Sequence, residues 1–161
     1  MDLDLKGKTI IITGGSGGIG QGLVMEFARE GCNVLSASRD AATGQKLAQE
    51  AKQQGLPGQV LAVATDVTQR ASVEAMIEIA HQQFGPIDGL VNNAGGVAHP
   101  AAFAELDEAA RRWEIALNID GVVNCCQAVA RDMLALGRGS IVNISSNSSL
   151  LGEAAAGVAH Y

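Results

Sequence analysis

Aromatic residues are nearly missing from this chain: Phe, Trp and Tyr together supply 3% of its 161 residues. Ala, Val, Ile and Leu must therefore fill the core. Cationic excess is missing too. The formal net charge is −6, which leaves no electrostatic footprint for nucleic acid or an anionic membrane surface. No apolar run approaches the length of a transmembrane helix. The opening residues, Met1 to Lys6, are acidic and lack the apolar centre of a secretory signal. Cysteine is confined to Cys32, Cys125 and Cys126. An odd number with two adjacent residues suits neither a disulfide framework nor a zinc site. Small buried thiols in a reducing cytoplasm are expected, with no bound metal.

What is present is apolar and punctuated. Hydrophobic residues make up 47% of the chain, enough for a globular domain with a sizeable core. Twenty glycines follow no collagen period and are read as turns and close backbone approaches. Short apolar runs at Lys8–Thr13, Asn33–Ser38, Gln59–Thr65, Ile87–Asn92 and Ser140–Ser145 predict strands. Helical periods or helix-rich composition cover Gly18–Glu30, Ala41–Gln54, Ser72–Phe84 and the long stretch Glu105–Leu136, with a break near Gly121. Strands alternating with helices predict an α/β fold with a parallel sheet covered on both faces. Right-handed crossovers make it doubly wound, with strand order 3-2-1-4-5.

The segment Thr13-Gly14-Gly15-Ser16-Gly17-Gly18-Ile19-Gly20 joins the first strand to the first helix. Strand, glycine cluster and helix form the context that a dinucleotide fingerprint requires. Glycines let the main chain approach a pyrophosphate, whose charge rests on the helix N-terminus. Gly15, Gly17 and Gly20 satisfy G-x-G-x-x-G; a turn needed only for packing is the alternative. The generic pattern places an acid about 20 residues further on, and Asp40 has that spacing. Arg39 beside it can form a charge-assisted fork with a 2′-phosphate, or can be a solvated loop charge. Asp66 or Thr68, after the third strand, can cap the next helix. Asn92-Asn93-Ala94-Gly95 ends the fourth strand, at the sheet edge where open parallel sheets bind ligands. Asn118 falls inside the long helical stretch, where its side chain competes with the backbone. Ile141-Val142-Asn143-Ile144-Ser145-Ser146 reaches the same edge from the fifth strand. A Ser hydroxyl there can donate to a carbonyl without being a nucleophile.

Taken in order, these motifs resemble the short-chain dehydrogenase/reductase family across essentially the whole chain. The resemblance implies a Rossmann-like fold and the register T-G-x-x-x-G-x-G, with Gly14, Ser16, Gly18, Ile19 and Gly20 at the cofactor. It puts the acid that selects NAD at Ser38, which cannot accept both ribose hydroxyls. With Arg39 next to it, NADP(H) is the preferred cofactor and NAD(H) the alternative. Asp66 and Val67 would hold the adenine. Asn92 would tie adjacent strands together, while Asn93, Ala94 and Gly95 would line the ribose and nicotinamide. Asn118 would bend its helix and hold a water of the proton relay. Ser146 would orient the substrate and Tyr161 would act as general acid/base. The family's usual spacing from Ser to Tyr selects Ser148 instead, whereas Leu150-Leu151-Gly152 after the strand selects Ser146.

The implied reaction is reversible NAD(P)(H)-dependent hydride transfer between an alcohol and a ketone or aldehyde. The implied partners are that small substrate and further copies of the chain, in a dimer or tetramer. The family's Lys, four residues after its Tyr, falls beyond Tyr161. Members usually run to roughly 250 residues, still one domain in size. Residues 1–161 are therefore expected to form one dinucleotide-binding domain, incomplete at its C-terminus, with Ile141–Ser145 at a sheet edge. The alternative is a catalytically silent dinucleotide-binding fragment lacking that Lys.

Overall fold

The computed structural model describes residues 3–98 and 103–146. Ser148, Leu150-Leu151-Gly152 and Tyr161 lie outside the described residues.

Among the described residues, five strands interleave with five α-helices, the last two of which follow one another. They are β1 (Thr9–Thr13), α1 (Gly18–Arg29), β2 (Asn33–Ser38), α2 (Ala41–Gln53), β3 (Gln59–Ala64), α3 (Arg70–Phe84), β4 (Gly89–Asn92), α4 (Glu108–Ile115), α5 (Gly121–Leu136) and β5 (Ser140–Asn143). The strands form one sheet in the order β3-β2-β1-β4-β5. All four pairings are parallel. The chain winds outward through β2 and β3, then crosses to the other side of β1 for β4 and β5. That reversal opens a crevice at the carboxyl ends of β1 and β4.

The alternating direction of side chains along β1 divides the core. Ile11 packs with Leu35, Val73, Met76, Leu90, Cys125 and Val129 under α3 and α5. Ile10 and Ile12 pack with Val24, Ala28, Val34 and Val91 under α1. Aliphatic residues fill both layers, as the shortage of aromatics requires. All three cysteines are free, and Cys32 and Cys125 are buried. Burial pushes the Cys32 thiol up to about 11 and the Cys125 thiol up to about 12. No described helix is long and apolar enough to cross a membrane.

Two local expectations need correction. α3 begins at Arg70, with Gln69 at its N-cap and no side-chain cap bond. Asp66 and Thr68 therefore close the preceding turn rather than cap the helix: Asp66 Oδ1 accepts from the Thr68 N–H at 3.0 Å and the Thr68 hydroxyl at 2.8 Å. The long helical stretch also starts later than Glu105, and it breaks beside Gly121 as expected. A short 3₁₀ turn at Phe103–Glu105 precedes α4. Asp107 caps α4, its Oδ1 accepting from the Ala110 N–H at 2.8 Å. A π turn over Ala116–Asp120 then separates α4 from α5. At the far side of the sheet, β5 has β4 as its neighbour. Its residues are all exposed, Ile141 by 39% and Val142 by 47%. Among the described residues it is an edge, as expected.

Candidate functional site

The crevice is built around Thr13, the last residue of β1. Its hydroxyl oxygen accepts from the main-chain N–H groups of Asn93 and Ala94, each at 3.0 Å. The Asn93 amide in turn donates to the carbonyls of Thr13 and Gly14, each at 3.1 Å. These bonds fix the glycine turn against the turn after β4. Gly14 sits at φ +66°, and a Cβ there would lie 2.9 Å from Ala94 Cα. Gly18 opens α1 at φ +45°. A left-handed backbone and a steric limit at Gly14, with a second left-handed residue at Gly18, are what T-G-x-x-x-G-x-G asks for. A Cβ on Gly17 would meet nothing.

The N-terminus of α1 faces this turn without an anion of its own. Its N-cap residue, Gly17, supplies no side-chain bond, and no acid lies in the first turn. By contrast, α2 and α4 are capped by Asp40 and Asp107. Unpaired N–H groups and the positive end of the helix dipole suit a pyrophosphate. The residues present fit a dinucleotide on that ground.

A cleft of about 450 Å³ runs from this turn along the strand ends. Among the residues predicted to hold cofactor, Gly14, Ser16, Ile19, Ser38, Arg39, Asp66, Val67, Asn93, Ala94 and Gly95 line it. Gly18 and Gly20 do not. Gly20 instead packs under the turn, where a Cβ would lie 2.2 Å from the Gly14 carbonyl oxygen. Ser38 is buried and donates to the Asp40 carbonyl at 2.8 Å. Asp40 is occupied as a cap: Oδ1 accepts from the N–H groups of Ala42 and Thr43, and Oδ2 from the Thr43 hydroxyl. The Thr43 bonds hold its carboxyl below the usual range. Arg39 is exposed at the cleft and forms no ion pair among the described residues.

Asn118 lies in the π turn and clamps the loop after β4. Its Oδ1 accepts from the Gly96 N–H at 3.0 Å, and its amide donates to the Gly96 carbonyl at 2.9 Å. Where the bend was expected stands a π turn, closed by a Gly121 N–H bond to the Ala116 carbonyl. Gly121 serves packing: a Cβ there would lie 2.8 Å from Val67 Cγ2. Asn92 ties strands, as expected, donating to Asn143 Oδ1 at 2.9 Å and to Cys126 Sγ at 3.3 Å. Ser146 follows β5, half-buried and outside the cleft lining.

Three residues escaped sequence reasoning. Trp113 and Leu117 line the cleft, and their one-turn spacing on a helix was the available signal. Glu114 is 3% exposed, and its Oε1 accepts from the Ala98 N–H at 3.0 Å. A carboxylate in a short polar helix gave no hint of that burial.

The parallel order, the glycine turn at an uncapped helix and the strand-end cleft define an α/β domain of the doubly wound class. The comparisons then specify the family. The family model described as short chain dehydrogenase matches residues 8–161, and this chain belongs to that family. It is 36% identical over 151 residues to the 3-oxoacyl-[acyl-carrier-protein] reductase FabG of Thermotoga maritima, covering 92% of this chain and 59% of the relative. It is 41% identical to the oxidoreductase UcpA of Escherichia coli K12, covering 88% and 52%. A solved 7α-hydroxysteroid dehydrogenase, complexed with NADH and 7-oxo glycochenodeoxycholic acid, superposes with TM-score 0.85 at 33% identity, covering 91% and 56%. The chain thus spans little more than half the length of these relatives.

Proposed function

We propose that this chain forms the cofactor-binding part of an oxidoreductase that interconverts an alcohol and a ketone or aldehyde, with NADP(H) preferred. The observation that carries the proposal is the pairing of an uncapped α1 N-terminus with an unpaired Arg39 on one cleft. A bound nicotinamide cofactor supplies or accepts the hydride. The N–H groups of Ser16 and Ile19, both on the cleft, hold the pyrophosphate at the α1 N-terminus, and Gly14 lets the turn approach it. Arg39 pairs with the 2′-phosphate; Ser38 adds no carboxylate, and the Asp40 carboxylate, also on the cleft, is engaged by Ala42 and Thr43. Asp66 and Val67 bound the adenine, and Asn93, Ala94 and Gly95 line the ribose and nicotinamide.

For the chemical step, Ser146 donates a hydrogen bond to the substrate oxygen, and Tyr161 gives or takes its proton. An unperturbed Tyr has a pKa near 10, so Tyr161 needs a neighbouring positive charge to act near neutrality. Asn118 holds the loop over the cofactor and contributes to the proton relay. The functional unit is a homo-oligomer in the cytoplasm.

The test is a calorimetric titration of NADP⁺ and NAD⁺ into wild type and Arg39→Ala. A charge-assisted contact is worth roughly 1.5–3 kcal/mol, so the variant should lose tenfold or more in NADP⁺ affinity and little for NAD⁺. An unchanged preference refutes the role of Arg39. Absence of binding by either cofactor refutes the dinucleotide assignment.

A further inference from the structure

The buried carboxyl group of Glu114 has no part in the chemistry assigned above, and stability does not explain it. The residue is 3% exposed, and among the described residues it pairs with no cation. Its Oε1 accepts from the Ala98 N–H at 3.0 Å. Taking a carboxyl group out of water is costly, and a single bond to a neutral N–H offsets that cost only in part. An apolar side chain would avoid it: buried ionic groups replaced by well-packed apolar ones often leave a fold equally or more stable.

What the carboxyl group does is hold a piece of the cleft wall. Gly95 lines the cleft, and the chain then runs over α4 and its wide turn. Leu117 Cδ2 and Trp113 Cη2 lie 3.7 and 3.8 Å from where a Gly96 Cβ would be, and both side chains line the cleft as well. Glu114 and Asn118, four residues apart, fasten this loop at alternate residues. Asn118 takes the N–H and the carbonyl of Gly96, and Glu114 takes the N–H of Ala98. Asn118 alone would pin the loop at one residue and let it pivot there. The second point fixes its course.

We propose that Glu114 is a positioning residue for the nicotinamide end of the cofactor. It does not line the cleft and acts through the loop that continues from Gly95. This rests on the dinucleotide reading above, which puts Gly95 at the ribose and nicotinamide. A loop ordered before the cofactor arrives has less conformational freedom to lose on binding.

Two variants and two ligands test it. Glu114→Met keeps an unbranched side chain and removes the acceptor oxygens, whereas Glu114→Gln keeps one. NADP⁺ and adenosine 2′,5′-bisphosphate, which lacks the nicotinamide end, are titrated calorimetrically into the full chain. Hydrogen exchange at the Ala98 amide and urea unfolding are measured on the same proteins. Glu114→Met should be at least as stable as wild type and should exchange its Ala98 amide faster. It should bind NADP⁺ roughly twofold to tenfold more weakly, the span of one lost hydrogen bond. Its affinity for the bisphosphate should not change. Glu114→Gln should restore both the Ala98 protection and the NADP⁺ affinity.

Equal weakening of both ligands, or a marked loss of stability in Glu114→Met, makes Glu114 a support of the fold at large and overturns the proposal. Unchanged NADP⁺ affinity in Glu114→Met also overturns it, while leaving the dinucleotide reading intact. No heat from NADP⁺, NAD⁺ or the bisphosphate with wild type overturns the dinucleotide reading, and the positioning role with it.

Discussion

Two glycines two positions apart on α1 should respond oppositely to the same substitution. In the interior of a helix, Gly→Ala ordinarily stabilises by about 0.8–1.0 kcal/mol, because alanine has less backbone freedom to lose. Gly22 is exposed, and a Cβ there meets no atom within 4 Å. Gly22→Ala should show that gain. At Gly20 the Cβ would lie 2.2 Å from the Gly14 carbonyl oxygen, 2.9 Å from its carbon and 2.8 Å from Asn93 Nδ2. Main-chain atoms in a braced turn cannot rotate away, so the turn or the helix must shift. Overpacking of this kind costs about 1–3 kcal/mol. The shift also strains the two Asn93 bonds to Thr13 and Gly14, at about 0.5–1.5 kcal/mol each. Set against the helical gain, the net loss for Gly20→Ala is about 1–5 kcal/mol. Urea unfolding followed by circular dichroism measures both variants against wild type. If Gly20→Ala is as stable as wild type, the close approach of α1 to the glycine turn is wrong. If Gly22→Ala is destabilised, the propensity argument fails for this helix.

Removing the Asn118 side chain should free the loop after β4. Asn118→Ala loses both bonds to Gly96, about 1–3 kcal/mol together, and the Gly96 amide should exchange faster with deuterium; unchanged exchange would refute the clamp. Asn118→Asp keeps an acceptor for the Gly96 N–H, so it should protect that amide better than Ala does. Cys125 should make the protein sensitive to alkali. Its folded thiol is pushed up to about 12 from an ordinary 9.0, so the folded state keeps a proton that the unfolded chain releases. That contribution is fully present below pH 9 and is lost as the pH rises towards 12. Cys125→Ala should flatten the alkaline limb of a stability–pH curve, and an unaltered limb would exclude this thiol as its source. Cofactor preference follows Arg39, by the titration already described.

Much of this fold was legible because it rests on short-range signals. Five apolar runs, each separated by a helical segment, define a parallel sheet, and handed crossovers reduce its possible orders. The turn at Thr13–Gly20 was legible because its backbone geometry requires glycine at fixed offsets. The wide turn at Ala116–Asp120 was only partly so. Asn118 and Gly121 marked a disturbance, but its form depends on Gly96 and Val67, both distant in sequence. Asp66 and Thr68 looked like helix caps because the sequence does not state where α3 begins. Glu114 and Trp113 were missed for a related reason. In a polar helix of eight residues, docking against the loop after β4 decides which side chains are buried and which meet the cleft.

The bracing of the crevice separates holding a cofactor from using it. Thr13, Asn93 and the glycine turn are cross-linked by four bonds between β1 and β4, two strands flanked by neighbours on both sides. Asn118 and Glu114 fasten the adjoining loop to α4 and its wide turn. These parts rely on interior elements. Ser146 is carried differently. Among the described residues its strand meets β4 alone, through main-chain pairing and the Asn92–Asn143 bond. The cofactor cleft and the segment bearing Ser146 therefore rest on different contacts. Asn143→Ala should therefore disturb the segment that bears Ser146 while leaving the four bonds among Thr13, Gly14, Asn93 and Ala94 in place, because the two rest on different strands.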